Sequence, residues 1–245
     1  MRSLGVVPAR GGSKAIPRKN VHDLAGRPLL AYTADAARAS ARLTRVILST
    51  DDNAIAEIGR GLGLDVPFLR PSELASDAAP MLPVLRHAVS EMAARGFAAD
   101  AVVLLQPTSP LRRAEHIDQA IALLESSGAD TVVSVVEVPH QFTPGSLMRL
   151  DGDQLRPLAG NVGAGNVGAS NVGTNTVTRR QDKPRLYARN GPAVLAVRTA
   201  ALARSSFYEG DCRALVMSAI DSIDVDGPDD LELIECILSR RRPIA

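Results

Sequence analysis

Lysine is almost missing from this chain, with Lys14, Lys19 and Lys183 as three among 28 basic residues. The arginine surplus reads as coding composition and carries no functional weight by itself. Cysteine is scarcer still. Cys212 and Cys236 are far apart and form no Cys-x-x-Cys pair, which excludes a disulfide framework and a zinc site and leaves an expectation of two buried free thiols. Aromatics are only 3% against 45% hydrophobic residues, so the interior is expected to be built from Ala, Val, Leu and Ile. Net charge is nearly absent at +1, which gives no case for a nucleic-acid partner, because phosphate-backbone affinity needs many clustered cations. No apolar run approaches the roughly 18 to 20 residues that span a bilayer, and no signal-peptide pattern follows Met1. The expectation is a cytoplasmic protein with no membrane partner. No Gly-x-Gly-x-x-Gly opens a helix after the first strand, which removes a dinucleotide-binding oxidoreductase.

What is present begins with the two N-terminal lysines. They lie in Val6-Val7-Pro8-Ala9-Arg10-Gly11-Gly12-Ser13-Lys14-Ala15-Ile16-Pro17-Arg18-Lys19-Asn20, a short apolar strand followed by a glycine-bearing cationic loop. Backbone N–H groups and side-chain cations converge on phosphate oxygens in such loops, and the run reads as a nucleoside-triphosphate cradle. Gly-Gly alone would fit a basic solvated loop equally well. Four cations within ten residues, with almost no acid beside them, favour the cradle.

The first half alternates apolar runs with amphipathic, alanine-rich stretches, the pattern of βα units around a mostly parallel, Rossmann-like α/β sheet flanked by helices. Strands are expected at Leu4 to Pro8, Arg45 to Ser49, Ala101 to Leu105 and Thr131 to Val136. Helices are expected at Pro28 to Ser40, Asn53 to Leu62, Pro83 to Arg95 and Ala114 to Ser126, with Pro28 in a first turn and Gly96 and Gly128 just past helix ends. Polar residues gather where strands end: Arg10 to Asn20, Ser49 to Asp52, and Gln106 to Pro110. Ligands bind an open parallel sheet at the carboxyl ends of its strands, so these clusters imply one crevice.

All 245 residues are assigned to a single domain with an excursion over 138–189, where the alternation stops. Leu147 to Leu150, Asp151-Gly152-Asp153 and Gln154 to Leu158 read as a hairpin. A Gly/Asn-rich repeat, Asn161 to Gly173, has too little apolar surface to order itself, and a flexible loop is expected over 159–178. Order returns with strands at Ala193 to Val197 and Ala214 to Met217 and a final helix from Pro228 to Arg240. The acids Asp229 and Asp230 at its start and Arg240 to Arg242 at its end complement the helix dipole.

Ser222-Ile223-Asp224-Val225-Asp226 reads as an extended segment in which the two aspartates share a face. Two adjacent carboxylates suit Mg²⁺, which completes its octahedron with waters and substrate phosphates. The competing reading has Asp226 capping the final helix while Asp224 faces solvent.

Taken together, Pro8 to Lys14 through Lys19-Asn20, Leu69-Arg70-Pro71-Ser72-Glu73-Leu74-Ala75-Ser76-Asp77, Leu105-Gln106-Pro107-Thr108-Ser109-Pro110-Leu111-Arg112, Asn190-Gly191 and Asp221 to Asp226 resemble the acylneuraminate cytidylyltransferases, or CMP-sialic acid synthetases, in order and over nearly the full length. The resemblance implies transfer of CMP from CTP to the anomeric hydroxyl of a nine-carbon 2-keto sugar acid, with release of pyrophosphate, for a bacterial surface glycan. It implies catalytic roles for Arg10, Lys19, Asp224 and Asp226, the last two as Mg²⁺ ligands. It implies nucleotide contacts from Ala9, Arg10, Gly11, Gly12, Ser13, Lys14, Lys19, Asn20, Arg70, Ala79 and Gln106. Sugar-acid contacts are implied for Gln106, Arg180, Gln181, Asn190, Phe207 and Tyr208, with Arg180 pairing the substrate carboxylate. It also implies a homodimer formed through the excursion.

Three departures from the family pattern appear: Pro192 to Leu195 lack the tyrosine usual after Asn-Gly, the segment after His140 lacks the family's lysine, and Met81 stands where a small hydroxyl residue is common in the nucleotide pocket. They make a related nonulosonate such as legionaminic or pseudaminic acid as good a fit as sialic acid. Alternatives are a nucleotidyltransferase for another sugar acid, such as a 3-deoxy-2-ulosonate, and a non-catalytic nucleotide-binding homologue.

Overall fold

Apolar runs in this chain become strands buried on both faces. A computed structural model describes residues 1–13, 16–158 and 185–241. Its strands are β1 (Ser3–Pro8), β2 (Asp23–Leu24), β3 (Arg27–Pro28), β4 (Arg45–Ser49), β5 (Ala101–Leu104), β6 (Thr131–Glu137), β7 (Met148–Asp151), β8 (Gln154–Pro157), β9 (Tyr187–Arg189), β10 (Leu195–Arg198) and β11 (Cys212–Met217). Its helices are α1 (Leu29–Ala39), α2 (Asn53–Gly61), α3 (Met81–Ala94), α4 (Ala114–Ser127) and α5 (Pro228–Arg241). Two units result, Met1–Val135 with Arg189–Ala245, and Val136–Ala188.

The main sheet runs β11-β6-β10-β5-β1-β4, with β9 also pairing β6. β1 is parallel to β4, Leu4 opposite Arg45, and to β5, Ser3 opposite Ala101. β10 is antiparallel to both β5 and β6, so β6 runs in the direction of β5 and the sheet is mostly parallel. Strand alternation sorts the core. Val102, Leu104, Leu4, Val6, Ile47, Leu195 and Val197 pack with Leu82, Leu85, Ala88 and Met92 of α3. Ala101, Val103, Val7, Leu48, Val132 and Ala196 pack with Leu30 and Ala34 of α1 and Ile117, Ile121 and Leu124 of α4. Each fully buried Leu or Val contributes roughly 1.5–3 kcal/mol. Leu85→Ala, emptying a site with no exposure, is in the class of substitutions that cost about 2–5 kcal/mol.

Four local expectations need correction. Pro28 sits one residue before α1 as its N-cap, because it first pairs with Asp23 in the β2–β3 ribbon. Helix α3 starts at Met81, which leaves Pro83 in a first turn that lacks backbone partners in any case. Segment 222–226 is not a strand: a 3₁₀ turn at Ile220–Ser222 leads into irregular backbone. Neither thiol is buried; Cys212 is intermediate, with its thiol pushed up by burial and by Asp211, and Cys236 is exposed.

A third cluster fastens α5: Leu231 and Ile234 pack with Val225, Ile16, Leu24, Leu29 and Leu111. In the smaller unit, β7 and β8 form a hairpin with Asp151 opposite Gln154 and Gly152 at φ +64. The Asn161–Gly173 repeat and the expected 159–178 loop lie outside the described residues.

Candidate active site

Strand β1 ends at Pro8, and the chain turns over the carboxyl edge of the sheet. Gly11 N–H donates to Asp51 Oδ1 at 3.0 Å, and Asp52 caps α2 by accepting from Ala54 N (2.7 Å) and Ile55 N (3.1 Å). The two glycines differ. A Cβ on Gly11 would lie 2.8 Å from Asp52 Oδ2, whereas one on Gly12 would meet nothing within 4 Å. Gly11 is therefore a packing requirement of the loop, and Gly12 leaves backbone open to a ligand.

A cavity of about 530 Å³ opens there. Its lining brings together Arg10, Gly12, Ser13, Lys19 and Asn20 of the cationic loop, Gln106 and Thr108 after β5, Asp226, and Arg70, Asp77 and Met81. Lys19 Nζ donates to the carbonyl oxygen of Val225 at 2.8 Å, tying the cationic loop to the aspartate segment. Asn20 Nδ2 donates to the carbonyl oxygen of Arg10 at 3.0 Å and holds the turn. Arg10 is ion-paired with Asp77.

Val225 explains the placement of the two aspartates. Its side chain is fully buried and its N–H donates to Thr108 O at 2.8 Å, so Asp224 and Asp226 flank a fixed point. Asp226 lines the cavity. At the start of α5, Asp230 of the first turn accepts from the N–H groups of Asp226 and Gly227, both at 2.8 Å. Asp224 is held by Ser109 Oγ at 2.9 Å. Burial pushes the Asp224 carboxyl up and the charge of Asp226 adds to this, while hydrogen bonds from Thr108 and Ser109 and the charge of Lys19 pull against it. Two carboxylates of like charge, Asp224 partly buried and Asp226 exposed to the cavity, suit a hard divalent cation, which would relieve their repulsion. Among the described residues no third His, Cys, Asp or Glu joins them, so such an ion would draw its remaining ligands from water and phosphate.

The other expected residues are placed as follows. Arg70 is 6% exposed; its guanidinium donates to Ser49 Oγ at 3.1 Å and to the Ser49 carbonyl, and burial pushes it down to about 10 against the pull of Asp51. Ala9 is buried in the core beneath the loop, and Ala79 lies between Asp77 and Met81 without lining the cavity. Gln106 reaches across, its Nε2 donating to Gly191 O at 3.0 Å. Asn190 is buried and saturated, accepting from Ser134 Oγ (2.6 Å) and Ala193 N (3.2 Å) and donating to Ser222 Oγ (2.9 Å), so it shapes the turn. Phe207 packs against the α3 side of the core, and Tyr208 is half-exposed beneath the Arg189 guanidinium, 4.7 Å from the ring. Lys14, Arg180 and Gln181 lie outside the described residues. Sequence reasoning gave no site role to Asp51, Asp77, Thr108, Ser109 or Arg112. Their signal was position, directly after the ends of β4 and β5 or inside quoted motifs.

A mostly parallel sheet with a cation-lined crevice at its carboxyl edge, Asp226 in that crevice and Asp224 behind it on the same segment, defines a nucleotidyltransferase-type α/β enzyme. The Cytidylyltransferase family pattern matches residues 4–208. Over 241 residues, 97% of each chain, this one is 32% identical to the CMP-N,N'-diacetyllegionaminic acid synthase of Legionella pneumophila. It is 32% identical over 94% of its length to an N-acylneuraminate cytidylyltransferase of Streptococcus agalactiae, spanning about half (52%) of that longer protein. A pseudaminic acid cytidylyltransferase of Campylobacter jejuni is 38% identical over 120 residues, 49% of this chain and 52% of that protein. In fold, the chain superposes on a solved CMP:2-keto-3-deoxy-manno-octonic acid synthetase complexed with CTP, with TM-score 0.70 and 16% identity over 99% of this chain and 100% of that one. The chain belongs to the cytidylyltransferase family and is a CTP-dependent nucleotidyltransferase.

Proposed function

We propose that the protein transfers CMP from CTP to the anomeric hydroxyl of a nonulosonic acid and releases pyrophosphate, with Mg²⁺ on Asp224 and Asp226. The observation that carries this reading is the cavity itself, where Gly12, Ser13, Arg10, Lys19 and Asp226 line one space of about 530 Å³. Arg10 and Lys19 would hold the triphosphate and stabilise the charge that grows on the departing pyrophosphate; one such donor in a dry site is worth about 2.7–4 kcal/mol. A bound Mg²⁺ would supply Lewis-acid polarisation of the α-phosphate and a template for in-line attack. Gln106, fixed at Gly191, stands at the border between the nucleotide and the sugar acid.

The legionaminate, neuraminate and pseudaminate assignments of the relatives support a nonulosonate acceptor. Met81 in the cavity wall, in place of a small hydroxyl residue, supports a substrate or nucleotide contact that differs from sialic acid enzymes. A homodimer formed through residues 138–189 is part of the same reading. It is supported by Phe142, Leu150 and Leu155, each at least 59% exposed in the smaller unit. No described helix is long and apolar enough to cross a membrane. A cytoplasmic place of work, where CTP is available, and delivery of the product to surface glycans complete the proposal.

The test is pyrophosphate release from each of the four nucleoside triphosphates with Mg²⁺, alone and with a panel of nonulosonic acids and a 3-deoxyoctulosonate. Release that requires both CTP and one sugar acid is expected. Release with CTP and a 3-deoxyoctulosonate alone would move the acceptor class, and absence of release with every pair would overturn the reading.

A further inference from the structure

We infer that Arg112 is a positioning residue of this active site, a buried guanidinium clamp that fixes Gln106 and the Gly191 turn against Asp224. The inference rests on the proposed function for the meaning of Gln106. Its physical basis is independent of the substrate.

Arg112 is 3% exposed. A buried cation costs stability unless its hydrogen bonds and charge are answered, so its presence beneath a ligand crevice requires partners. Nη1 donates to two carbonyl oxygens, that of Gln106 at 3.0 Å and that of Ala193 at 2.7 Å. Nη2 donates to the hydroxyl of Thr33, itself 1% exposed, and Thr33 Oγ1 lies 3.4 Å from the same Gln106 carbonyl. Gln106 is thus gripped from below by two donors while its side chain bonds Gly191 O from above. The two grips connect the end of β5 to the turn that leads into β10. Gly191 in turn lies against the metal-site candidate, since an atom at its Cβ position would be 3.5 Å from the Asp224 carboxylate.

The guanidinium also has a reason to be charged. Burial pushes it down to about 9 and Asp224 pulls it up, so it remains a cation at neutral pH. Its Nε–H is buried without a partner, so the site keeps an arginine although its hydrogen-bonding is incomplete. Lysine cannot reproduce the arrangement, because a single ammonium cannot span the Gln106 carbonyl, the Ala193 carbonyl and Thr33 with the planar fork of arginine.

The experiment compares wild type, Arg112→Lys, Arg112→Met, Gln106→Ala and the Arg112→Lys/Gln106→Ala double variant. Steady-state kinetics use CTP and the sugar acid that wild type accepts, alongside amide hydrogen exchange of each protein. In Arg112→Lys, kcat should fall by about 100-fold, the order expected of a displaced positioning group, with the CTP KM little changed. In the Gln106→Ala background the same substitution should cost far less, because its route to the chemistry is already gone. Exchange should accelerate at residues 105–108 and 190–194 and not across the sheet. Wild-type kcat in Arg112→Lys, fully additive losses in the double variant, or acceleration spread over the whole sheet would each overturn the inference. Arg112→Lys carries the test where Arg112→Met does not fold. If wild type turns over no nonulosonic acid, the proposed function fails, and exchange at the two loops alone still decides the clamp.

Discussion

The two walls of the cavity are built by opposite means. On the cationic loop, a Cβ on Gly12 would meet nothing within 4 Å, and the Arg10 side chain is 32% exposed and ion-paired with Asp77. On the acidic side, Pro107, Ser109 to Arg112, Asp221 and Val225 are buried and cross-linked, while Asp226 itself is exposed. Asp224 accepts from Ser109, Val225 is pinned to Thr108, and Asp221 accepts from Ser218 Oγ at 2.9 Å and Arg241 Nη2 at 2.8 Å. The difference follows from charge. Cations that meet a polyanionic ligand can stand on exposed backbone, whereas adjacent carboxylates repel, and the segment that carries them is anchored through Asp224 and Val225.

The sharpest way to break this comparison is on the acidic wall. Asp226→Asn should lower Mg²⁺-dependent pyrophosphate release by ~10³-fold or more, since it removes a ligand to the ion that orients the reacting phosphate. The exposed position of Asp226 predicts an unchanged melting temperature. Wild-type turnover in this variant would remove Asp226 from the metal site.

On the cationic wall, Lys19→Met should lower kcat/KM by about 10²–10³-fold, with loss of stability limited to about 1 kcal/mol for the bond to Val225. Urea unfolding beside the kinetics would check the split; a much larger stability loss would make Lys19 primarily a structural strut.

The glycine pair sharpens the contrast within one loop. Gly11→Ala should destabilise by roughly 1–3 kcal/mol, because its methyl would press on Asp52, which caps α2. Gly12→Ala should leave the melting temperature alone and raise the KM for CTP. The reverse pattern would mean that the open backbone belongs to Gly11.

The smallest effect concerns the frame behind the acidic wall. Burial holds His116 below its ordinary 6.5, with Asp221 pulling up and Arg113 pushing further down. The unfolded imidazole therefore takes a proton before the folded one does. Stability is complete above about 6.5 and is lost as pH falls from there toward the folded value. His116→Gln should flatten the melting temperature between about pH 7 and about pH 5, and an unchanged slope would acquit His116.

Much of this architecture was legible in residue order. β4 runs from Arg45 to Ser49 as its five-residue run predicts, and β1 and β5 differ from expectation by single residues, because a strand covered on both faces leaves a continuous apolar signature. The convergence of Lys19 and Gln106 on one crevice follows from strand ends in a parallel sheet, whereas Asp226 reaches it from irregular backbone. What could not be read was non-local. Ser222–Asp226 looks extended, but the 3₁₀ turn before it is set by Ser218 and Asp221, and its extended part bonds Thr108 rather than a strand partner. Asn190 looked like a ligand contact because buried and ligand-facing amides share one letter. Only the fold shows that Ser134, Ala193 and Ser222 use up its hydrogen bonds.

The antiparallel strand β10 has a consequence for how the molecule comes into being. It fills the slot between β5 and β6, and its residues follow all three of the parallel strands β1, β4 and β5 as well as β6 in the chain. Until Leu195 to Arg198 have been synthesised, the backbone edges of Ala101–Leu104 and Thr131–Val133 lack the partner they have in the finished sheet. A nascent chain paused before residue 195 thus carries two apolar edge strands at once, the arrangement most prone to pairing with a neighbouring chain. The closing of the sheet by β10 and then β11 and the arrival of Asp226 at the crevice all come after residue 195, so a chain half made has neither a closed sheet nor its full crevice.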